Sequence, residues 1–246
     1  MTIGLFIPCY IDQLYPHVGQ ATVAIIERLG YEVGFPEGQT CCGQPMSNSG
    51  YAAMGDDLIR TFSKLFESYE HIVSPSASCL LHLKEKLEAR HDPLAHRIHE
   101  LTEFLHDIVP ADRVSRLNAQ FPHRVGLHQS CHGLRGLGLA RPSECMITDF
   151  SKPARLLAAV QGLELVPLDR PDECCGFGGT FAVFEPDVSV AMGRDRIQDH
   201  LSHGAEFITS TDMSCLMHLG GLMGRSGARA KAIHIAEILA SQPLRS

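Results

Sequence analysis

Short apolar runs and amphipathic stretches alternate along the chain, and they do so twice. Ile3–Ile7 is a brief apolar run suited to a buried strand. Thr22–Leu29 sets Val23, Ile26 and Leu29 at helical spacing, with charge at Glu27 and Arg28 and Gly30 as a stop. Glu32–Phe35 reads as a second strand. Leu58–Phe66 carries Leu58, Phe62, Leu65 and Phe66 on one helical face, and Ile72-Val73 gives a third buried strand. The later part runs alike: Val125–His128, Arg155–Val160, Leu163–Val166, Val188–Leu201 and Phe207–Thr209. Strands alternating with helices predict an α/β fold, each copy a small parallel or mixed sheet flanked by helices. Ligands of such sheets collect at the carboxyl ends of the strands.

The repetition extends to individual words. Ile3-Gly4-Leu5-Phe6-Ile7-Pro8-Cys9 matches Val125-Gly126-Leu127-His128-Gln129-Ser130-Cys131. Ala53-Met54-Gly55 recurs as Ala191-Met192-Gly193, and Leu101-Thr102-Glu103-Phe104-Leu105 is echoed by Ile235-Ala236-Glu237-Ile238-Leu239. Self-similarity at so long a period means two copies of one folding unit. The polar stretch Pro110–His123 places the boundary, giving two tandem pseudo-symmetric domains over residues 1–115 and 120–246.

Composition narrows the chemistry. A chain of 246 residues, 44% hydrophobic, has the make-up of a globular protein able to bury real cores. Its formal charge of −7 argues against a nucleic-acid footprint. No run approaches the roughly 20 apolar residues of a membrane span. The N-terminal stretch lacks a basic region and is interrupted by Pro8 and Asp12, so no signal peptide is expected and the chain is placed in the cytoplasm. Nine cysteines in a reducing compartment point to ligands or catalysts rather than cross-links.

Eight of the nine fall into one pattern used twice: single, adjacent pair, single. The first set is Cys9, Cys41, Cys42 and Cys79; the second is Cys131, Cys174, Cys175 and Cys215. Each pair is followed by glycine, Gly43 and Gly176. Each final cysteine sits in nearly the same word, Ser78-Cys79-Leu80-Leu81-His82-Leu83 and Ser214-Cys215-Leu216-Met217-His218-Leu219. All four single cysteines come just after a predicted strand, so one rim per half can gather four sulfurs. Bare thiolates about 4 Å apart repel by roughly 4 kcal/mol at an effective dielectric near 20, which a cation among them relieves. Soft thiolate clusters select zinc or iron–sulfur, and glycine lets the backbone approach a bulky inorganic group. Cys145 has no counterpart in the first half and reads as an incidental thiol.

Several neighbours are weaker candidates. His82 and His218 lie three residues after a cysteine, on the same face if a helix starts there, and are possible additional ligands. His128 and His132 flank Cys131 and are placed to donate to a cluster sulfur, although their first-half equivalents are Phe6 and Tyr10 and the plain reading is ordinary loop histidines. Gly176-Phe177-Gly178-Gly179-Thr180-Phe181 lacks both the third glycine of a dinucleotide loop and the lysine of a P-loop. A Cys131–His128 nucleophile pair leaves the other cysteines unexplained.

Cys41-Cys42-Gly43-Gln44-Pro45 and Cys174-Cys175-Gly176-Phe177-Gly178-Gly179 resemble the duplicated cysteine-rich CCG domain. That domain occurs in the cysteine-rich component of heterodisulfide reductase and in the iron–sulfur subunits of glycolate and glycerol-3-phosphate oxidising enzymes. The closer resemblance is to the lactate-utilisation protein A type, carried also by Asn48-Ser49-Gly50, Ser74-Pro75, Phe181 and His234–Leu239. It implies an iron–sulfur electron-transfer subunit of a cytoplasmic complex oxidising L-lactate to pyruvate, not active alone. The partners implied are a ferredoxin-like iron–sulfur subunit and a third lactate-utilisation protein. The cofactor implied is one iron–sulfur cluster per domain, of the 4Fe-4S kind, with zinc possible in one or both sites. The heterodisulfide reductase relatives use a fifth cysteine three residues after the fourth. This chain has His82 and His218 there, leaving an ordinary cubane, an imidazole-assisted cluster and zinc open. A glycolate-oxidase or heterodisulfide-reductase type of subunit and a zinc-stabilised assembly module without redox chemistry are the alternatives.

Overall fold

The computed structural model describes residues 1–242. The last four residues of the second expected domain, 243–246, lie outside the described residues. The chain divides into two compact units, Met1–Leu117 and Asn118–Ser246. Each contains its own four-stranded parallel sheet packed with helices.

In the first unit the strands are β1 (Thr2–Leu5), β2 (Glu32–Gly34), β3 (Ile72–Ser74) and β4 (Ile98–Glu100), in the order β2-β1-β3-β4. The helices are α1 (Cys9–Leu14), α2 (Pro16–Arg28), α3 (Gln44–Asn48), α4 (Asp56–Phe66), α5 (Ala77–Glu88), α6 (Leu101–Glu103) and α7 (Ala111–Val114). The second unit repeats the scheme with β5 (Arg124–Leu127), β6 (Glu164–Leu165), β7 (Phe207–Ser210) and β8 (Lys231–His234), ordered β6-β5-β7-β8. Its helices are α8 (Lys152–Ala158), α9 (Phe181–Phe184), α10 (Pro186–Ser202), α11 (Met213–Ser226) and α12 (Ile235–Ala240).

Every pairing between the strands of the two sheets is parallel, which settles the parallel-or-mixed choice. Two strands, β4 and β8, escape the sequence pattern. They are short, and polar side chains interrupt them. Yet His99 and Glu100 are buried, and so is His234. Their polarity serves the chain reversal that follows. Glu100 caps α6, its carboxylate accepting from the backbone N–H of Thr102 (2.7 Å) and Glu103 (3.3 Å), while Glu103 accepts in return from Glu100 N–H. His234 plays the same part for α12: its Nδ1 accepts from Ala236 N–H, and Glu237 accepts from His234 N–H. This is the reciprocal capping box, with Glu and His in the place of the more usual Ser or Thr.

Helix α2 begins at Pro16, earlier than the periodic stretch alone predicts, because Pro is favoured in the first turn where its missing N–H costs nothing. The first core is aromatic on the α4 side. Phe6 meets Phe62 edge-on with centroids 5.3 Å apart, and Phe62 stacks on Phe66 at 4.7 Å. Gly4 in β1 lets Tyr69 lie against the strand, since a Cβ there would come within 2.8 Å of the ring.

Strand order decides where a ligand goes. The chain passes from β1 outward to β2 and then crosses to β3 on the other side of β1, so adjacent loops at the β1/β3 carboxyl ends diverge. This is the switch point where open α/β sheets bind ligands. The β5/β7 ends form the same switch point in the second unit.

Candidate metal centre

The loops leaving these strands deliver the cysteines. Cys9 opens α1 directly after β1 and Pro8; Cys41 and Cys42 lie in the irregular stretch between β2 and α3; Cys79 is in the first turn of α5 after β3. Cys131 follows β5, Cys174 and Cys175 lie between β6 and α9, and Cys215 is in the first turn of α11 after β7. Cys79 and Cys215 thus sit in helical first turns rather than in loops.

Within each unit the four thiols meet. Cys41 hydrogen-bonds with both Cys42 and Cys9, and Cys42 with Cys79. Cys174 hydrogen-bonds with Cys131 and Cys175, and Cys175 with Cys215. All nine cysteines are free thiols. Their acidities are pulled apart in the same way in both units. The hydrogen bonds from Cys42 and Cys9 hold Cys41 far below the ordinary thiol range, and those from Cys131 and Cys175 do the same for Cys174. Cys9, Cys42, Cys131 and Cys175 are pushed up, first by sharing protons with that thiolate and then by burial. In each unit the first thiol of the pair takes the negative charge at the expense of its hydrogen-bonded neighbours. Full ionisation, the ligating state, requires a cation in their midst.

The glycine after each pair completes the cradle. Gly43 has φ +90° and Gly176 φ +85°, the left-handed region that a side chain resists. That turn sends the Gly43 N–H back to Cys41 Sγ at 3.4 Å and the Gly176 N–H back to Cys174 Sγ at 3.3 Å. Backbone N–H groups aimed at a thiolate stabilise its charge. Four soft donors delivered from three separate segments of the chain, with glycine at the turn, fit a bound soft metal or an iron–sulfur cluster.

The outlying candidates separate. Cys145 enters neither set of thiol contacts. His82 is buried beside the first pair, with Nε2 near Gly43, and burial together with Lys86 lowers its pKa. His218 points its Nε2 at the Ser189 carbonyl, 3.2 Å away, and its ring lies by Phe177. That nitrogen therefore donates to backbone. His128 is no ordinary loop residue. It is 1% exposed, and burial followed by the Arg196 charge lowers its pKa to about 4.

Two anchoring devices leave no mark in the sequence pattern. In the first unit Gln39, just before the pair, accepts from Ile7 N–H (3.1 Å) and donates to the Leu5 carbonyl (2.9 Å), stitching the pair's loop to the end of β1. In the second, Arg196 and Asp199 on α10 form an ion pair at 2.6 Å with side chains 0% and 1% exposed. Asp199 also accepts from the N–H of Asp169 and Arg170, fixing the loop that leads to Cys174. A charge pair on a helix that otherwise reads as amphipathic looks like solvated surface; only packing shows it to be interior.

A family model for a cysteine-rich domain matches twice, over residues 3–84 and 125–220. Lactate utilization protein A of Geobacillus thermodenitrificans is 41% identical over 248 residues, covering 97% of this chain and 98% of that one. The chain belongs to the CCG cysteine-rich family, lactate utilization protein A type. The family's relative of the same name in Bacillus subtilis is 37% identical over 251 residues, covering 98% of this chain and all of the relative. Among solved structures, glutamate racemase RacE1 of Bacillus anthracis aligns with 97% of this chain and 78% of its own at 10% identity and a TM-score of 0.38, too slight a likeness to argue from. Both matched copies contain all four of their unit's clustered cysteines. No helix among the described residues is long and apolar enough to cross a membrane.

Proposed function

We propose that the chain is the electron-transfer subunit of a cytoplasmic complex that oxidises L-lactate to pyruvate. Each unit holds one iron–sulfur cluster, of the 4Fe-4S kind, through Cys9, Cys41, Cys42 and Cys79 or through Cys131, Cys174, Cys175 and Cys215. The observation that carries the proposal is the pair of four-thiol rims at equivalent switch points in a chain 37–41% identical to lactate utilization protein A. A bound cluster supplies one-electron transfer, and lactate oxidation releases two electrons that a pair of such sites can pass on. The protein's own contribution is to gather the four thiols, aim backbone N–H groups at Cys41 and Cys174, and shield the buried cysteines from solvent. Cys9, exposed, gives the first site an edge toward a partner. The partners are a ferredoxin-like iron–sulfur subunit and a third lactate-utilisation protein.

Anaerobic purification tests this. Iron and acid-labile sulfide in both units, with a visible band bleached on reduction, are expected, and Cys42→Ser and Cys175→Ser should each remove about half of the iron. The four-thiolate donor set equally suits tetrahedral zinc. A colourless protein that holds zinc and refuses iron under those conditions overturns the redox function in favour of a zinc-stabilised assembly module.

A further inference from the structure

The two cysteine sites are built on one plan, yet one residue against them differs in kind. Phe6 and His128 are structurally equivalent: Phe6 N–H donates to the Val73 carbonyl and His128 N–H to the Thr209 carbonyl, in each case just past the first strand of the unit. Phe6 is packed against Phe62 and is inert toward a metal. The ring of His128 has a nitrogen within 4.8 Å of the sulfurs of both Cys175 and Cys215, and those sulfurs are equally close to each other. His128 is 1% exposed, and neither ring nitrogen has a hydrogen-bond partner. Burying an imidazole without partners is costly, and a metal bound at one ring nitrogen would relieve that cost there.

The surroundings differ in the same sense. The duplicated Ala-Met-Gly words set Phe62 opposite His200, so an aromatic pair in the first unit becomes an imidazole pair in the second, with centroids 6.5 Å apart. Gly126 in β5 makes room for His200, since a Cβ there would collide with its Nδ1. His200 is also fully buried and leaves both nitrogens unpartnered, so it takes no proton or lone pair from His128. What remains for a His128 nitrogen is the space beside the Cys175 and Cys215 sulfurs.

We infer that His128 is a ligand of the second site, bound to its metal through a ring nitrogen in place of one of the four cysteines proposed above, so that this site is sulfur-and-nitrogen where the first is all sulfur. The inference rests on the thiol sets being metal sites, though not on which metal they hold. A neutral nitrogen donor brings no negative charge to the metal where a thiolate would, and histidine ligation raises cluster potentials relative to cysteine. The second site is therefore the more easily reduced of the two.

The test uses the full chain with one site disabled at a time. Cys41→Ser/Cys42→Ser leaves the second site and Cys174→Ser/Cys175→Ser the first. Each is reconstituted anaerobically with iron and sulfide, reduced, and examined by pulsed EPR with natural-abundance or 15N-labelled histidine. A strong nitrogen coupling that responds to the label is expected from the second site alone. It should vanish in His128→Phe, the residue the first unit uses there, and persist in His218→Gln. A cluster-loaded second site without a histidine coupling overturns the inference, and that result needs no His128 variant to fold. Should neither site take up iron, the iron–sulfur function fails while the ligand is still decided by zinc. X-ray absorption of the zinc-loaded second site showing imidazole scattering, lost in His128→Phe, supports it, and a sulfur-only shell overturns it. Failure to hold either metal overturns it as well.

Discussion

Glu100 offers the most quantitative test of how this fold handles buried charge. Its side chain is wholly buried at the end of β4, one oxygen capping α6 and the other, Oε1, without a partner. Burial, only partly offset by the hydrogen bonds from Thr102 and Glu103, raises its pKa from 4.5 to about 8. Between those values the unfolded chain carries the carboxylate and the folded chain carries the acid, so the folded state binds one proton more. Stability then falls as pH rises, by about 1.4 kcal/mol per pH unit, and the loss levels off above the folded pKa. The accumulated penalty is about 3 kcal/mol at pH 7 and approaches 5 kcal/mol above pH 8. Glu100→Gln keeps an oxygen to cap α6 and removes the ionisation. Its amide N–H at the unpartnered position is no worse served than the acid O–H it replaces. The variant is expected to match the parent near pH 5 and to exceed it by roughly 3 kcal/mol at pH 7. The assay is convenient. All five tyrosines, Tyr10, Tyr15, Tyr31, Tyr51 and Tyr69, lie in the first unit and the chain has no tryptophan, so tyrosine fluorescence in urea follows that unit by itself. A stability difference that stays flat from pH 5 to 8 would refute the reasoning.

The glycines after the pairs should respond unequally. Gly43→Ala meets only a left-handed φ, with its nearest neighbour, His82 Nε2, at 3.5 Å, and is expected to cost about 1–2 kcal/mol while the first site still loads. Gly176→Ala adds a Cβ 2.7 Å from the Ser189 carbonyl and from Met192 Cβ, and should prevent metal retention in the second site; equal metal contents in the two variants would contradict this. Asp199→Asn leaves Arg196 buried without its counter-charge and is expected to destabilise the second unit by about 3–5 kcal/mol, measured by calorimetry. Its conservative chemistry makes a change below about 1 kcal/mol a clear failure of that account. Cys145→Ser should leave iron, zinc and sulfide contents unaltered, and a loss of metal would bring that thiol into the site.

The cysteine pattern was legible because duplication writes the same constraint twice. A single adjacent pair is compatible with many folds, whereas two pairs, each followed by glycine and bracketed by cysteines after predicted strands, leave one arrangement per unit. The short apolar runs that become β1, β3, β5 and β7 were equally clear, since strands buried on both faces read as continuous hydrophobic stretches. Strands β4 and β8 were not, because His99, Glu100 and His234 look like surface residues until the fold buries them and Glu100 and His234 are seen capping the helices that follow.

Sequence by itself therefore determined the eight thiols that cluster, their division into four and four, and the α/β frame that presents them. It did not determine which histidine lies against the thiols. His218 stands where the heterodisulfide reductase relatives have a cysteine and its Nε2 turns to the Ser189 carbonyl, while His128, one residue past strand β5, lies beside Cys175 and Cys215. Ligand spacing along a chain reports covalent distance, but coordination depends on side-chain direction. Direction is fixed by strand register and by what packs behind the ring, here Gly126 and His200 in place of the first unit's aromatic stack. Those are properties of the assembled sheet.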